Sequence, residues 1–123
     1  MDVFRLTDAF VNGRIGESVS VYRDLLRNGE EPIMLTSLIA GQIRLMVHVA
    51  NLRKKGYQQS QIAGTLSVHP YRVKLMMQRK LPELQKLYEA LHQLAKIDLQ
   101  LKTMSGNRER RLELFLMEGL YAR

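Results

Sequence analysis

The side chains best suited to moving protons or holding metal at neutral pH are His48, His69 and His92, and they fall on three different segments. No Cys and no cluster of acids stands beside them to complete a ligand set, so they read as surface or structural histidines. The chain has no Cys at all. That excludes thiol catalysis, cysteine-ligated zinc and disulfides, and it fits a reducing interior. Gly13 and Gly16 flank a turn without the Lys-Ser/Thr that a phosphate-cradling loop requires. The paired carboxylates Glu30 and Glu31 precede a long apolar segment, where they suit the positive end of a helix. No catalytic, metal or cofactor constellation emerges, so a small helical enzyme is the weakest reading.

Two other patterns could carry binding chemistry. In the apolar segment after Pro32, the polar positions Ser37, Gly41, Arg44, His48, Asn51 and Lys55 are spaced 4, 3, 4, 3, 4, which makes one narrow stripe on a helix. The stripe is either solvated or a contact surface. Gly41 within it costs about 1 kcal/mol of helix propensity relative to Ala, which a close neighbour would explain and so would chance. The second pattern lies at 57–80, where two short helical segments meet at a tight turn in the manner of a helix-turn-helix. Ala63 is the small residue of the first helix, Ile62 and Leu66 are core, Ser67-Val68 form the turn, and Val73 and Met76 face back. The turn usually prefers Gly, and Ser67 replaces it. His69, Tyr71, Arg72, Lys74, Leu75 and Gln78 would face DNA. Arg72 and Lys74 suit phosphates and Gln78 a base edge. Leu75 and Met77 do not suit a groove, so a packed structural corner is favoured over DNA reading. Arg53, Lys54, Lys55, Arg72, Lys74, Arg79 and Lys80 crowd this region; they form either a patch for nucleic acid or ordinary helix ends and solvated faces.

The elements that must position these residues are helical throughout. The 123 residues suit one domain, 1–123, large enough to bury roughly two thirds of its unfolded surface. No stretch alternates polar and apolar residues long enough to make a strand. Helices are expected over 2–11, over 17–27 ended by Asn28-Gly29, from Pro32 to Lys55, over 58–66 and 70–80, from Pro82 to about Thr103, and from the Ser105-Gly106-Asn107 turn nearly to the end. The fold class is therefore all-α, a single bundle of about seven helices with the long third helix as its post. Asp98 shares the Leu84, Leu87, Leu91, Leu94, Leu101 face of the sixth helix, so it sits at the bundle edge or pairs with a cation inside. The net charge of +7 favours an acidic partner, nucleic acid or an acidic protein face, although a cytosolic protein can simply be basic. The first 30 residues hold no apolar run like a signal peptide, and no stretch of about 18 residues is free of polar groups, so no membrane span is expected.

The order of motifs resembles the C-terminal domain of the bacterial DNA polymerase III delta subunit, of low-GC Gram-positive type. The resemblance covers essentially the whole chain and rests most on Asn12-Gly13, Gly29-Glu30-Glu31-Pro32, Gln42 with Arg44, Val68-His69-Pro70-Tyr71-Arg72-Val73-Lys74, and Ile97-Asp98 through Lys102. Two departures are Gly41, where a larger residue is usual, and Met104-Ser105-Gly106, where a glycine usually follows Lys102-Thr103. The resemblance implies a clamp-loader subunit of the DNA polymerase III holoenzyme with two N-terminal AAA+-like domains that contact the sliding clamp. It implies a third, helical domain joining tau/gamma and delta-prime subunits in a cytoplasmic collar. Only that third domain is present, a fragment cut at a domain boundary or a short natural protein. It is expected to lack catalysis, clamp opening and any cofactor, with DNA contact possible only in the full complex. On this reading Ser37, Gly41, Arg44, His48 and Asn51 are candidate subunit-facing residues. Asp98 and Arg44 are a candidate ion pair, and Arg72, Lys74 and Arg79 are candidate weak nucleic-acid contacts. The reading from a different class is a helix-turn-helix DNA-binding regulatory module.

Overall fold

A computed structural model describes residues 2–79 and 81–121. Among them the chain forms seven helices and no strand: α1 (Val3–Val11), α2 (Ile15–Arg27), α3 (Pro32–Lys54), α4 (Gln59–Leu66), α5 (Pro70–Gln78), α6 (Leu84–Thr103) and α7 (Arg108–Glu118). Pro32 and Pro70 open α3 and α5, where a missing amide donor is harmless. Several boundaries shift from the sequence expectation; α5, expected over 70–80, ends at Gln78, with Arg79 extended. Gly16 lies inside the first turn of α2 rather than in the break before it. The α6 helix begins after Pro82, because Glu83 keeps an extended ψ of 136°.

The α3 helix runs through the middle and touches α1, α4, α5, α6 and α7. Leu35, Ile39, Ile43 and Val49 are fully buried along it, each contributing about 1.5–3 kcal/mol relative to exposure. By length and composition alone α3 could cross a membrane, but its apolar side is the wall of this core. It packs most extensively against α6, whose buried face is Leu87, Ala90, Leu94, Ile97 and Leu101. Ala50, Arg53 and Lys54 from the end of α3 share a cleft with Pro82, Glu83 and Leu84, so the two helices run antiparallel. The α1–α2 pair and α7 close the other side. There Phe10 stacks on Phe115 with ring centroids 4.7 Å apart, a geometry worth about 0.5–1.5 kcal/mol beyond burial.

The α4–α5 corner has the expected design. Ile62, Ala63, Val73 and Met76 are buried between the two helices and the core. Gln61 accepts the Gln58 amide at 2.8 Å, and His69 Nδ1 accepts the Tyr71 amide at 3.1 Å, so each helix start is capped by a side chain. Ser67 occupies the left-handed position, with φ 54°, where the sequence pattern calls for Gly.

Candidate functional site

The polar stripe of α3 is outward, as its spacing requires. Ser37, Arg44, His48 and Lys55 are exposed, and Gly41 and Asn51 are half-buried. The free face is wider than the stripe, however. Met34 and Leu38 are 49% and 40% exposed, whereas Leu45 and Leu52 are half-buried and packed against the core. Apolar periodicity alone places all four on the packed circumference, which Leu45 and Leu52 keep and Met34 and Leu38 leave. Around Gly41 a Cβ would meet only Arg44 Nη1, at 4.0 Å, so no neighbouring helix of this chain explains the glycine.

A groove of about 340 Å³ runs between α3 and α6, with Ser37, Ala40 and Arg44 on one wall and Leu91, Ala95 and Asp98 on the other. Arg44 and Asp98 therefore share a groove, yet they are not within ion-pair distance of each other. Asp98 takes Lys102, one turn along α6, at 2.7 Å. Antiparallel packing sets Asp98, late in α6, across the groove from Ser37, Ala40 and Arg44, with Lys102 beside it on its own helix. Of the two sequence alternatives for Asp98, the half-buried edge of the bundle is the one observed.

The three candidate nucleic-acid cations fare differently. Lys74 is exposed on α5. The Arg72 guanidinium lies 5.2 Å over the ring of Phe4, a cation–π contact. Arg79 binds Asp8 at 2.6 Å, and Asp8 also binds Arg14 at 2.9 Å. The hydrogen bond to Asp8 holds the Arg14 guanidinium above its ordinary pKa, against the opposing effect of burial. One carboxylate between two guanidiniums leaves the trio net positive. Lys80, the last cation of the sequence patch, lies outside the described residues. Leu75 and Met77 are half-buried, with Met77 packed on the core, whereas Pro70, Tyr71, Arg72, Lys74 and Gln78 stay exposed on α5.

The sequence carries a stronger charge signal than the crowding of cations over 53–80. Residues 32–82 hold eight cations and no carboxylate, whereas 1–31 and 83–123 together hold eleven cations against twelve acids. The entire positive surplus thus belongs to α3, α4, α5 and their connections. Among the described residues no group of three or more His, Cys, Asp or Glu side chains could hold a metal ion.

Residues 1–119 match the family described as DNA polymerase III delta subunit, C-terminal domain. The chain is 40% identical over 120 residues to DNA polymerase III subunit delta of Bacillus subtilis (strain 168), covering 97% of this chain and 35% of that protein. It is similar, with a TM-score of 0.86 and 40% identity, to a solved structure of the Bacillus subtilis DNA clamp loader delta protein, covering 96% of this chain and 35% of that one. The chain therefore spans about a third of the length of these relatives. They are components of the replication machinery, so the regulatory helix-turn-helix reading gives way. The α4–α5 pair is a corner of the bundle, and the chain belongs to the family of C-terminal domains of the DNA polymerase III delta subunit.

Proposed function

We propose that this chain is the oligomerisation module of a clamp-loader delta subunit, joining tau/gamma and delta-prime subunits in a collar in the cytoplasm. On this reading residues 1–123 are the third domain, and clamp contact belongs to AAA+-like domains. The module assembles rather than catalyses. The observation that carries the reading is the outward face of α3, a long unpartnered strip on the central helix of a chain in the delta family. Ser37, Gly41, Arg44, His48 and Asn51 form its polar half, and exposed Met34 and Leu38 add apolar area beside them. A mixed strip of this kind suits a subunit interface with an apolar centre and polar rim. Open space above Gly41 lets a partner helix approach the backbone.

The test is to mix the chain with tau and delta-prime and follow complex formation by size-exclusion chromatography with light scattering. Wild type is expected to co-elute with at least one partner. Gly41→Trp, which fills the open space without meeting the core, is expected to abolish co-elution while leaving the circular dichroism and thermal midpoint near those of wild type. Co-elution undiminished by Gly41→Trp and by Arg44→Glu would remove this face from the interface, and no co-elution of wild type with either subunit would remove the collar reading.

A further inference from the structure

The outward strip of α3 changes sign along its length. Glu30 and Glu31 stand at its start, and Arg44 and His48 lie further along. Between them come Met34, Ser37, Leu38 and Gly41. Met34, Ser37 and Leu38 are exposed. Gly41 is a notch, since a Cβ built there meets only Arg44 Nη1, at 4.0 Å. The strip therefore carries a knob (Met34), a hole (Gly41), an acid at one end and a cation at the other.

The dipole of α3 accounts for the two acids before its first turn, but that effect fades within a turn and says nothing of Arg44 in the middle of the helix. Glu30, Glu31 and Arg44 have no ion-pair or side-chain hydrogen-bond partner among the described residues. By contrast, Arg5, Arg14, Arg23, Arg27 and Arg110 each pair with a carboxylate. The chain neutralises its arginines elsewhere and leaves both signs free on this one strip.

We propose that the strip pairs with the same strip of a second copy of this chain, antiparallel, about a two-fold axis between Ser37 and Leu38. That axis sets Glu31 of each copy opposite Arg44 of the other, and Met34 of each opposite the Gly41 notch of the other. Leu38 then packs across the axis on Ser37 and Leu38. The knob enters the hole twice, and unlike charges meet at both ends over a contact roughly 20 Å long. A parallel pair would instead set Glu31 on Glu31 and Arg44 on Arg44, so charge selects the antiparallel one. The contact is isologous and closes at two copies. Such a pair covers the face proposed above for collar partners, so the two assemblies exclude each other. That exclusion rests on the collar reading, whereas the pair itself does not.

The experiment is sedimentation equilibrium of the whole chain from about 10 μM to 1 mM, in about 50 mM salt so that exposed charges are little screened. Wild type is expected to rise from the 14.3 kDa monomer toward twice that mass. Its dissociation constant should be on the order of 100 μM, because one helix strip is smaller than the roughly 800 Å² per partner of a stable complex. Glu31→Arg and Arg44→Glu, each alone, set like charges opposite at both ends and are expected to lose about fivefold or more in affinity. An equimolar mixture of these two variants restores unlike charges at both ends. It is expected to associate within about twofold of wild type, which neither damaged folding nor a parallel pair would produce. Gly41→Leu fills the notch and is expected to abolish association with unchanged circular dichroism. A wild type that stays monomeric at about 1 mM, far above the constant expected for so small a contact, would overturn the pair. So would a mixture no better than its components, undiminished association of Gly41→Leu, or a mass that climbs past the dimer. No partner subunit enters the experiment, so its failure is distinct from failure of the collar reading.

Discussion

The hydroxyl of Tyr22 donates to the backbone carbonyl of Glu109 at 2.7 Å, across 87 positions of sequence. Tyr22 is fully buried, and this bond fixes α2 to the first turn of α7. Burial, followed by the charges of Glu109 and Glu113, raises the phenol well above its ordinary pKa. Tyr22→Phe removes the donor and keeps the ring, so we expect a loss of about 1 kcal/mol in urea denaturation. The folded state holds the phenol proton more tightly than the unfolded chain does. Wild-type stability therefore falls as pH rises past about 10, and Tyr22→Phe is expected to flatten that alkaline decline. An identical decline in both proteins would show that Tyr22 is not its source.

Glu113 joins the same two helices from the surface, reaching Arg23 on α2 at 3.2 Å and Arg110 on its own helix at 2.5 Å. The hydrogen bond from Arg110, then that from Arg23, lowers its pKa against the effect of burial. A depressed carboxylate stabilises the fold above its unfolded pKa of about 4.3, and that contribution disappears as pH falls through the folded value. Glu113→Gln is expected to be less stable than wild type at pH 7 and to converge on it in acid. Denaturation midpoints measured from pH 7 down to pH 3 decide this, and parallel curves would contradict it.

Gly41 is helical, and an added Cβ would find only the Arg44 side chain, at an ordinary contact distance of 4.0 Å. Gly41→Ala should therefore stabilise the isolated chain by about 0.5–1 kcal/mol through helix propensity. A thermal midpoint at or below that of wild type would reveal strain that the static contacts do not show.

Ser67 takes φ 54°, a left-handed conformation that costs a residue with a Cβ about 1–2 kcal/mol. Ser67→Gly is expected to recover up to about 1 kcal/mol, reduced by the greater freedom of glycine in the unfolded chain. Ser67→Val should cost at least as much in the other direction. If the two substitutions move the denaturation midpoint the same way, the strain lies elsewhere in the corner.

What the sequence determined by itself is local. Proline positions, glycine breaks and apolar periodicity were enough for seven helices, because each reports on its own turn of chain. The same signals marked Val73 and Met76 as inward and the Ser37-to-Lys55 stripe as outward. What tertiary structure decided is which side of each helix another helix covers. Met34 and Leu38 look like core in sequence, yet no element reaches that side of α3, because α6 and α1 occupy other sectors. Asp98 pairs with Lys102, one turn along its own helix, although the packing of α3 on α6 also brings Arg44 to the same groove. The acid-free span from 32 to 82 was always legible as composition. Only the fold, by bringing the end of α3 beside the α5–α6 connection, places three of its cations, Arg53, Lys54 and Arg79, along one cleft. Charge is written along the chain, but a site needs residues distant in sequence to share one small volume, and packing alone arranges that.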